Sequence, residues 1–316
     1  MSFQRYNTED SVVSSELVVR GLWGGDCSRL LGANMITPLT YTEYYLPVYN
    51  QDPTTPSASL QFDIQYGHVS GSGSAAINPN TPFATPSRSI YGQYRNLVYG
   101  TEDTNFSFNG VDNPDIYVIN VSRARYKESI KSNSLNLTLS GTAGSVTLID
   151  DSSTTNLTRF VGENRYFNVV NVTAPTIPVG MLLPDLGLII LSPNILSSVG
   201  TLPNRAPVTT RVDNHSLLFN NMKQGNNFTL LSQETISSRF FFTRVKNADF
   251  NYTTNPSIID NNGNLLYVTL IDNPQTFVTT VGLYNDNNEL LAVAKLSKPL
   301  VKDFTKEELI RVKLDY

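Results

Sequence analysis

Leu135-Asn136-Leu137-Thr138-Leu139-Ser140, then Gly141-Thr142-Ala143-Gly144-Ser145, then Val146-Thr147-Leu148-Ile149 is the stretch that decides the fold. Leucine occupies every second position with a polar residue between, the two-residue period of a strand that turns one face to a core. The glycine-bracketed turn reverses the chain into a second strand, so the segment is predicted as an antiparallel hairpin with one wet face. Outward from it, Ile116 to Val121 and Leu186 to Leu191 are apolar runs, the first flanked by Asn113-Pro114 and the second by Pro184 and Pro193. Both are predicted as further strands.

From about residue 239 the strand signal becomes denser. Arg239 to Val245, Leu265 to Ile271, Phe277 to Tyr284, Leu290 to Leu296 and Ile310 to Leu314 are apolar-rich and separated by Asp, Asn and Gly turns. Ile310, Val312 and Leu314 alternate with Arg311, Lys313 and Asp315. Thr305 and Glu308 have capping-box spacing, which predicts one helical turn that aims the last strand. Helical spacing is rarer. After Pro86, Ile90, Tyr94, Leu97 and Val98 share a helix face, with Ser87 or Ser89 as cap and Gly100 as stop. A second short helix is predicted from Asp213 as cap through Leu217, Leu218 and Met222 to Gly225.

The expected fold class is therefore mainly β with a few short helices, a β-rich α+β chain closed by a C-terminal antiparallel β-sandwich-like domain. Gln51-Asp52-Pro53-Thr54-Thr55-Pro56 and the proline-rich stretch from Asn78 to Pro86 interrupt ladder and helix alike. They set the expected organisation: residues 1–56 an N-terminal arm ordered against a neighbouring subunit, 57–235 a mixed β-rich middle domain, 236–316 a C-terminal β docking domain.

Charged residues make up 16% of the chain, below the roughly 25% of an ordinary soluble domain, so much of the polar surface is uncharged. A net charge of -4 leaves no basic footprint for a phosphate backbone, and no nucleic-acid partner is expected. Cys27 is the lone cysteine and His68 and His215 the only histidines, too few for a disulfide framework or a zinc-type cluster; no metal or cofactor is expected. The first residues lack the basic-then-apolar order of a secretory signal, which implies synthesis in the cytoplasm. The longest apolar run, Met181 to Leu191, is cut by Pro184 and Asp185 and falls short of the ~20 residues of a membrane helix, so no membrane span is expected. Eight Asn-x-Ser/Thr triplets are read as a by-product of an Asn-, Ser- and Thr-rich composition.

Possible chemistry is sparse, and no catalytic residue is assigned. Gly67-His68-Val69-Ser70-Gly71-Ser72-Gly73-Ser74 lacks the Lys-Ser/Thr ending of a phosphate loop and is read as a flexible or partner-contacting loop. Asp260-Asn261-Asn262-Gly263-Asn264 opens like a calcium loop, but its glycine stands at position four and Ile271 at position twelve, so it is read as a hairpin turn. Asp150 and Asp151 are adjacent, and neighbours on a strand point to opposite faces, which is wrong for a glycosidase pair. Neither histidine has a nucleophile or base context, and His215 follows Asp213-Asn214 at a predicted helix start. Trp23, among Gly21, Gly24 and Gly25, is read as an anchor into a core or a partner surface.

Thr279-Thr280-Val281-Gly282-Leu283-Tyr284, the turn Asn285 to Asn288, and Glu289-Leu290-Leu291-Ala292-Val293-Ala294-Lys295-Leu296 resemble a β-hairpin of baseplate-associated and tail-fibre attachment proteins of contractile-tailed phages. Phe242 to Asn247, Phe250 to Pro256 and the ending Ile310 to Tyr316 are similar to structural proteins of such phages, and the similarity covers roughly the last quarter of the chain. The resemblance implies a non-enzymatic virion protein, of tail, baseplate or neck, that docks to other virion subunits and is oligomeric in the particle. Tail-fibre attachment domains normally precede a shaft, whereas this hairpin lies near residue 316, which fits a protein that receives or clamps a neighbour. The residues expected to meet a partner are Gly282, Leu283, Tyr284, Leu290, Leu291, Val293 and Trp23. The alternative is a tail protein that binds or cleaves a host glycan through loops carrying aromatic and acidic residues.

Overall fold

The computed structural model describes residues 5–78, 80–81, 84–142, 144–155, 158–198, 214–252 and 255–316. The chain is mainly β, with six short α-helices among those residues and large antiparallel sheets. It divides into two compact units, residues 17–234 and residues 1–16 with 235–316. The predicted cap Asp213, the turn residue Ala143 and Pro79 and Pro82 of the proline-rich loop lie outside the described residues, as do Thr253 and Thr254.

The larger unit is built on one sheet of eleven strands. Its central members in chain order are β1 (Leu60–His68), β2 (Asp115–Val121), β3 (Asn136–Gly141), β4 (Gly144–Asp150), β5 (Asn164–Asn171), β6 (Ala174–Leu183) and β7 (Leu188–Leu191). In space they run β3-β4-β5-β6-β7-β2-β1, every pair antiparallel. The alternating leucines form the predicted hairpin, in register from Gly144↔Gly141 to Ile149↔Asn136, with Leu137, Leu139, Val146 and Leu148 buried.

The strand β2 lies between β7 and β1, with Ile119 opposite both Ile189 and Ile64. Because side chains alternate across a strand, Tyr117, Ile119 and Val121 join one apolar cluster with Phe62, Ile64, Leu182 and Ile189. Ile116 and Val118 join a second with Met181, Leu183, Leu188 and Ile190. The two clusters are the two faces of one sheet. The helix α1 (Pro86–Tyr99) covers the second with Ile90, Tyr91, Tyr94 and Val98, while α2 (Asn214–Gly225) covers the first with Leu218 and Met222.

The N-cap of α1 is Thr85, whose hydroxyl accepts from the Arg88 amide, and neither Ser87 nor Ser89 caps it. Pro86 takes the first helical turn, where its missing N–H costs nothing, and so moves the cap two residues earlier than Ser87. Leu97, expected on the core face, is exposed and Tyr91 packs in its place. Gly100 stops the helix with φ of 72°, as its position predicted. Close approach of α1 to the sheet requires Gly67: a Cβ there would lie 2.9 Å from the Tyr91 amide nitrogen.

Residues 17–56, expected as part of an arm, contribute to the larger unit. Leu22, Trp23, Leu30, Met35, Leu46 and Val48 lie in its first apolar cluster, and Leu46–Tyr49 is the edge strand beside β1. Proline and glycine punctuation marks where ladders stop; it does not prevent short segments between from burying large side chains.

The smaller unit holds β8 (Leu231–Val245, of which residues 235–245 belong to it), β9 (Thr276–Tyr284), β10 (Leu290–Lys302) and β11 (Glu308–Asp315). Its strands belong to two sheets: β8 lies between the strand Ser11–Gly21 and β11, pairing antiparallel with β11 from Ser238↔Asp315 to Val245↔Glu308, and β9 pairs antiparallel with β10. Leu265 to Ile271, expected as a strand, instead makes a single bridge between Leu265 and Ile259 and leads into a helical turn at Thr269–Asp272. No helical turn precedes β11. The Asp303 carboxylate accepts from the Thr305 amide and hydroxyl, an Asx turn that takes the place of the expected capping box.

Asp63 lies on the α1 side of β1, with one carboxylate oxygen buried and without a hydrogen-bond partner. Burial pushes its pKa from the usual 3.8 to about 6, and the same desolvation, helped by the Asp63 charge, pushes the Tyr94 hydroxyl up to about 12. Below about pH 3 the Asp63 carboxyl is neutral in both folded and unfolded chains; above about pH 6 the folded chain carries an ion that water would hold better. The substitution Asp63→Asn is therefore expected to stabilise the fold by about 1–2 kcal/mol near pH 7.5, allowing for solvent screening, and by nothing near pH 3. Urea denaturation at both pH values checks this, and an equal gain at the two would rule out titration as the cause.

Candidate interaction surface

The hairpin β9–β10 pairs Leu283 with Ala292, Gly282 with Val293 and Val281 with Ala294, and a slip beside the turn pairs Tyr284 with Leu290 and leaves Leu291 extra. Residues directly opposite in an antiparallel pair share a face. Val281, Leu283, Ala292 and Ala294 therefore form the inner face, where Leu283 is 6% exposed. Gly282, Tyr284 and Val293 belong to the outer face, and Tyr284, Leu290, Leu291 and Val293 are all exposed, Leu291 by 68%. Of the hairpin residues predicted to meet a partner, the structure leaves all but Leu283 accessible.

Gly282 gives the outer face its shape. A Cβ built on it would come within 2.9 Å of the Tyr284 ring and 3.2 Å of Leu290 Cδ1, so both side chains lie down over the bare backbone. An aromatic ring laid across a strand glycine replaces the packing that the glycine lacks. The tip is held by Asn285, whose side-chain oxygen accepts from the Asn287 and Glu289 amides while its amide donates to the Glu289 carbonyl. Asn288, at φ of 59°, supplies the left-handed residue that the reversal needs.

The two edges of the hairpin differ. Between Lys295 and Leu300 the strand β10 slips past a single Thr279, which bulges Leu296, Ser297, Lys298 and Pro299 out of the ladder. Bulges, lysines and prolines are the features that keep an edge from pairing. By contrast β9 runs Thr276 to Tyr284 without a charge or a proline. Among the described residues no strand pairs with its outer edge. The face and the edge therefore stand side by side, one apolar and the other offering backbone donors and acceptors.

Lys302, at the end of β10, is fully buried, a position that sequence reasoning missed. Its ammonium donates at 2.8 Å to the Asn247 carbonyl, the Asn251 side-chain oxygen and the Asp303 carbonyl, using all three of its protons. The lysine thus ties the 247–251 loop to the base of the hairpin. Its one sequence signal is a lysine following Leu300-Val301, weak because a lysine in a strand normally faces water.

The other candidates are structural. Trp23, expected on a partner surface, is 2% exposed: its ring packs on Phe62 and Phe228 and its indole N–H donates to the Phe228 carbonyl at 2.8 Å. The loop 67–74, expected as a flexible or partner-contacting loop, is packed at the start of α1, where Thr85 Oγ1 donates to the Gly71 carbonyl and the Ser87 amide donates to Ser74 Oγ. Asp150 accepts from the Asn133 and Leu135 amides, and Asp151 pairs with Arg159 at 2.8 Å. His68 accepts from the Ser70 amide, and His215 stands edge-on to Tyr41. Asp260 accepts from the Asn264 amide and side chain, hydrogen bonds that hold its carboxyl below the usual range and shape a turn. No cluster of three metal-ligating side chains occurs among the described residues, and no described helix is long and apolar enough to cross a membrane.

Comparison with protein families, with curated proteins and with solved structures gives no match.

Replacing Lys302→Met keeps the length of the side chain and removes its three hydrogen bonds. It is expected to destabilise the chain by roughly 1–3 kcal/mol, because three acceptors, one of them in the buried Asp303, lose their charged donor. Chemical denaturation gives the size of the loss, and hydrogen exchange should rise first between Asn247 and Asn251. Unchanged exchange there would show that the lysine does not tie that loop.

Proposed function

We propose that this chain is a non-enzymatic structural subunit of a tailed-phage particle, a tail or baseplate component that docks to other virion proteins through the β9–β10 hairpin. The observation that carries the proposal is the pairing of an exposed apolar face, centred on Leu290, Leu291 and Val293, with an uncharged strand edge. A two-stranded hairpin is at best marginally stable alone and is completed by whatever adds a third strand or covers its open face. An apolar patch of this kind on a β surface is what a protein partner covers. The low charge of the chain supports the same reading, since fewer ions lose water when subunits pack.

The resemblance of the hairpin to attachment domains of contractile-tailed phages supports a location in the virion. The geometry contributes the means, a rigid tip and an outer face that needs no rearrangement before contact.

Mass spectrometry of purified particles is expected to find the chain as a stoichiometric component. The double substitution Leu291→Asp and Val293→Asp, both at exposed positions, should leave the fold intact by circular dichroism and lower incorporation about tenfold or more. A chain absent from finished particles would end the virion assignment, and full incorporation of the double variant would end the role of the hairpin.

A further inference from the structure

The larger unit carries a groove that docking through the hairpin does not use. One side comes from Phe106–Phe108 paired with Val111–Asn113, a short hairpin whose turn residues Asn109 and Gly110 both have positive φ, at 53° and 72°. That combination makes the tight turn whose twist matches the flanking strands. The other side comes from Arg159–Val161, paired with the start of β5 through Phe160↔Arg165. Pro178 and Met181 of β6 and Tyr99 at the end of α1 complete the lining around a volume of about 330 Å³. Both walls are hydrogen-bonded hairpins, so the groove is built in advance of any ligand.

The lining has a distinct chemistry. Tyr99, Phe108, Phe160 and Tyr166 supply aromatic surface, and Phe160 is 65% exposed. Ser107, Asn109 and Asn168 supply hydroxyl and amide groups. The Asn109 side chain and the Tyr166 hydroxyl make no hydrogen bond to any described residue, whereas Asn168 is held by Asp151. The lining holds no Asp, Glu, Lys, Arg or His side chain. The two arginines of the second wall are engaged elsewhere, Arg159 with Asp151 and Arg165 with Asp185.

We propose that this groove binds a neutral saccharide. A charged ligand would give up its hydration and find no counter-charge among these walls. A purely apolar ligand would leave the Asn109 amide and Tyr166 hydroxyl without partners. A sugar ring meets both demands: its C–H face lies on an aromatic ring, and its hydroxyls donate to and accept from amides. An extended proline-rich peptide also stacks on aromatic grooves, but it lacks the dense hydroxyl donors that Asn109 and Tyr166 can answer. Phe160 is the stacking platform and Asn109 the orienting amide. The groove stands independently of the docking hairpin, since its walls lie within residues 99–181.

Isothermal titration of the full chain tests this with neutral hexasaccharides of glucose, mannose and galactose, a galacturonate hexamer and a proline-rich decapeptide. Saturable binding of at least one neutral hexamer is expected, weakened about tenfold by Phe160→Ala and by Asn109→Ala, and unchanged by Leu291→Asp. The exposed position of Phe160 keeps its substitution from disturbing the fold, which circular dichroism confirms. No binding by any neutral hexamer, equal binding by the galacturonate, preference for the peptide, or indifference to Phe160→Ala would each overturn the proposal.

Discussion

The burial of β2 on both faces is the constraint on which the larger unit depends. A strand with one wet face needs one apolar set; Asp115 to Val121 has two, interleaved, so that each neighbouring strand must present the matching parity. A slip of one residue against β1 or β7 would exchange the clusters and drive Tyr117 into the space that Val118 fills. Covering two faces takes two layers, and α1 and α2 supply them. Gly67 is required because α1 lies close on the sheet, and the Asp63 carboxylate is strained in its protonation because the same layer shuts water out. One strand thereby fixes the sheet register, the seat of a helix and an acid that titrates away from its ordinary range.

The smaller unit obeys the opposite logic. Its hairpin has one covered face and one open face, and its interior connection relies on a buried ammonium, where the larger unit uses hydrocarbon. Three carbonyl and amide oxygens around Lys302 substitute for the water it lost, without an anion to pair it. Such a clasp is directional and tolerates little change in loop geometry. Rigidity at the base of β10 and at the Asn285 turn lets the outer face hold its shape while Leu290, Leu291 and Val293 stay exposed.

Much of this was legible because periodicity is a local property. The alternation at 135–149 and the spacing from Ile90 to Val98 each specify an element without knowledge of its neighbours. Helix phase was less legible: Tyr91 and Leu97 compete for the same stripe, and the sheet with its Gly67 gap selects Tyr91. Trp23 was marked as an anchor by its glycines, but which surface it enters depends on Phe228, 205 residues away in sequence. Residues 17–56 misled for a related reason, since Leu22, Met35, Leu46 and Val48 lie in short segments with no period to betray them. On the hairpin, alternation alone separates Leu283 from Leu291; what the sequence does not show is the slip in register near the turn, which brings Leu290 opposite Tyr284 on the outer face.

The difference between the two edges of the hairpin bears on how a surface can be uncovered without being indiscriminate. An edge strand left plain on both sides would pair with any extended chain, its own copies included. Here the β10 edge is broken by Leu296 to Pro299 and carries two lysines, so additions are confined to β9. Beside that edge the outer face adds a second condition, because a strand that pairs with β9 must also tolerate Tyr284, lying flat over Gly282, on its flank. Backbone pairing is indifferent to sequence and side-chain packing is not. Requiring both at once converts a general liability into a selective one, and it does so with residues that also hold the hairpin itself together.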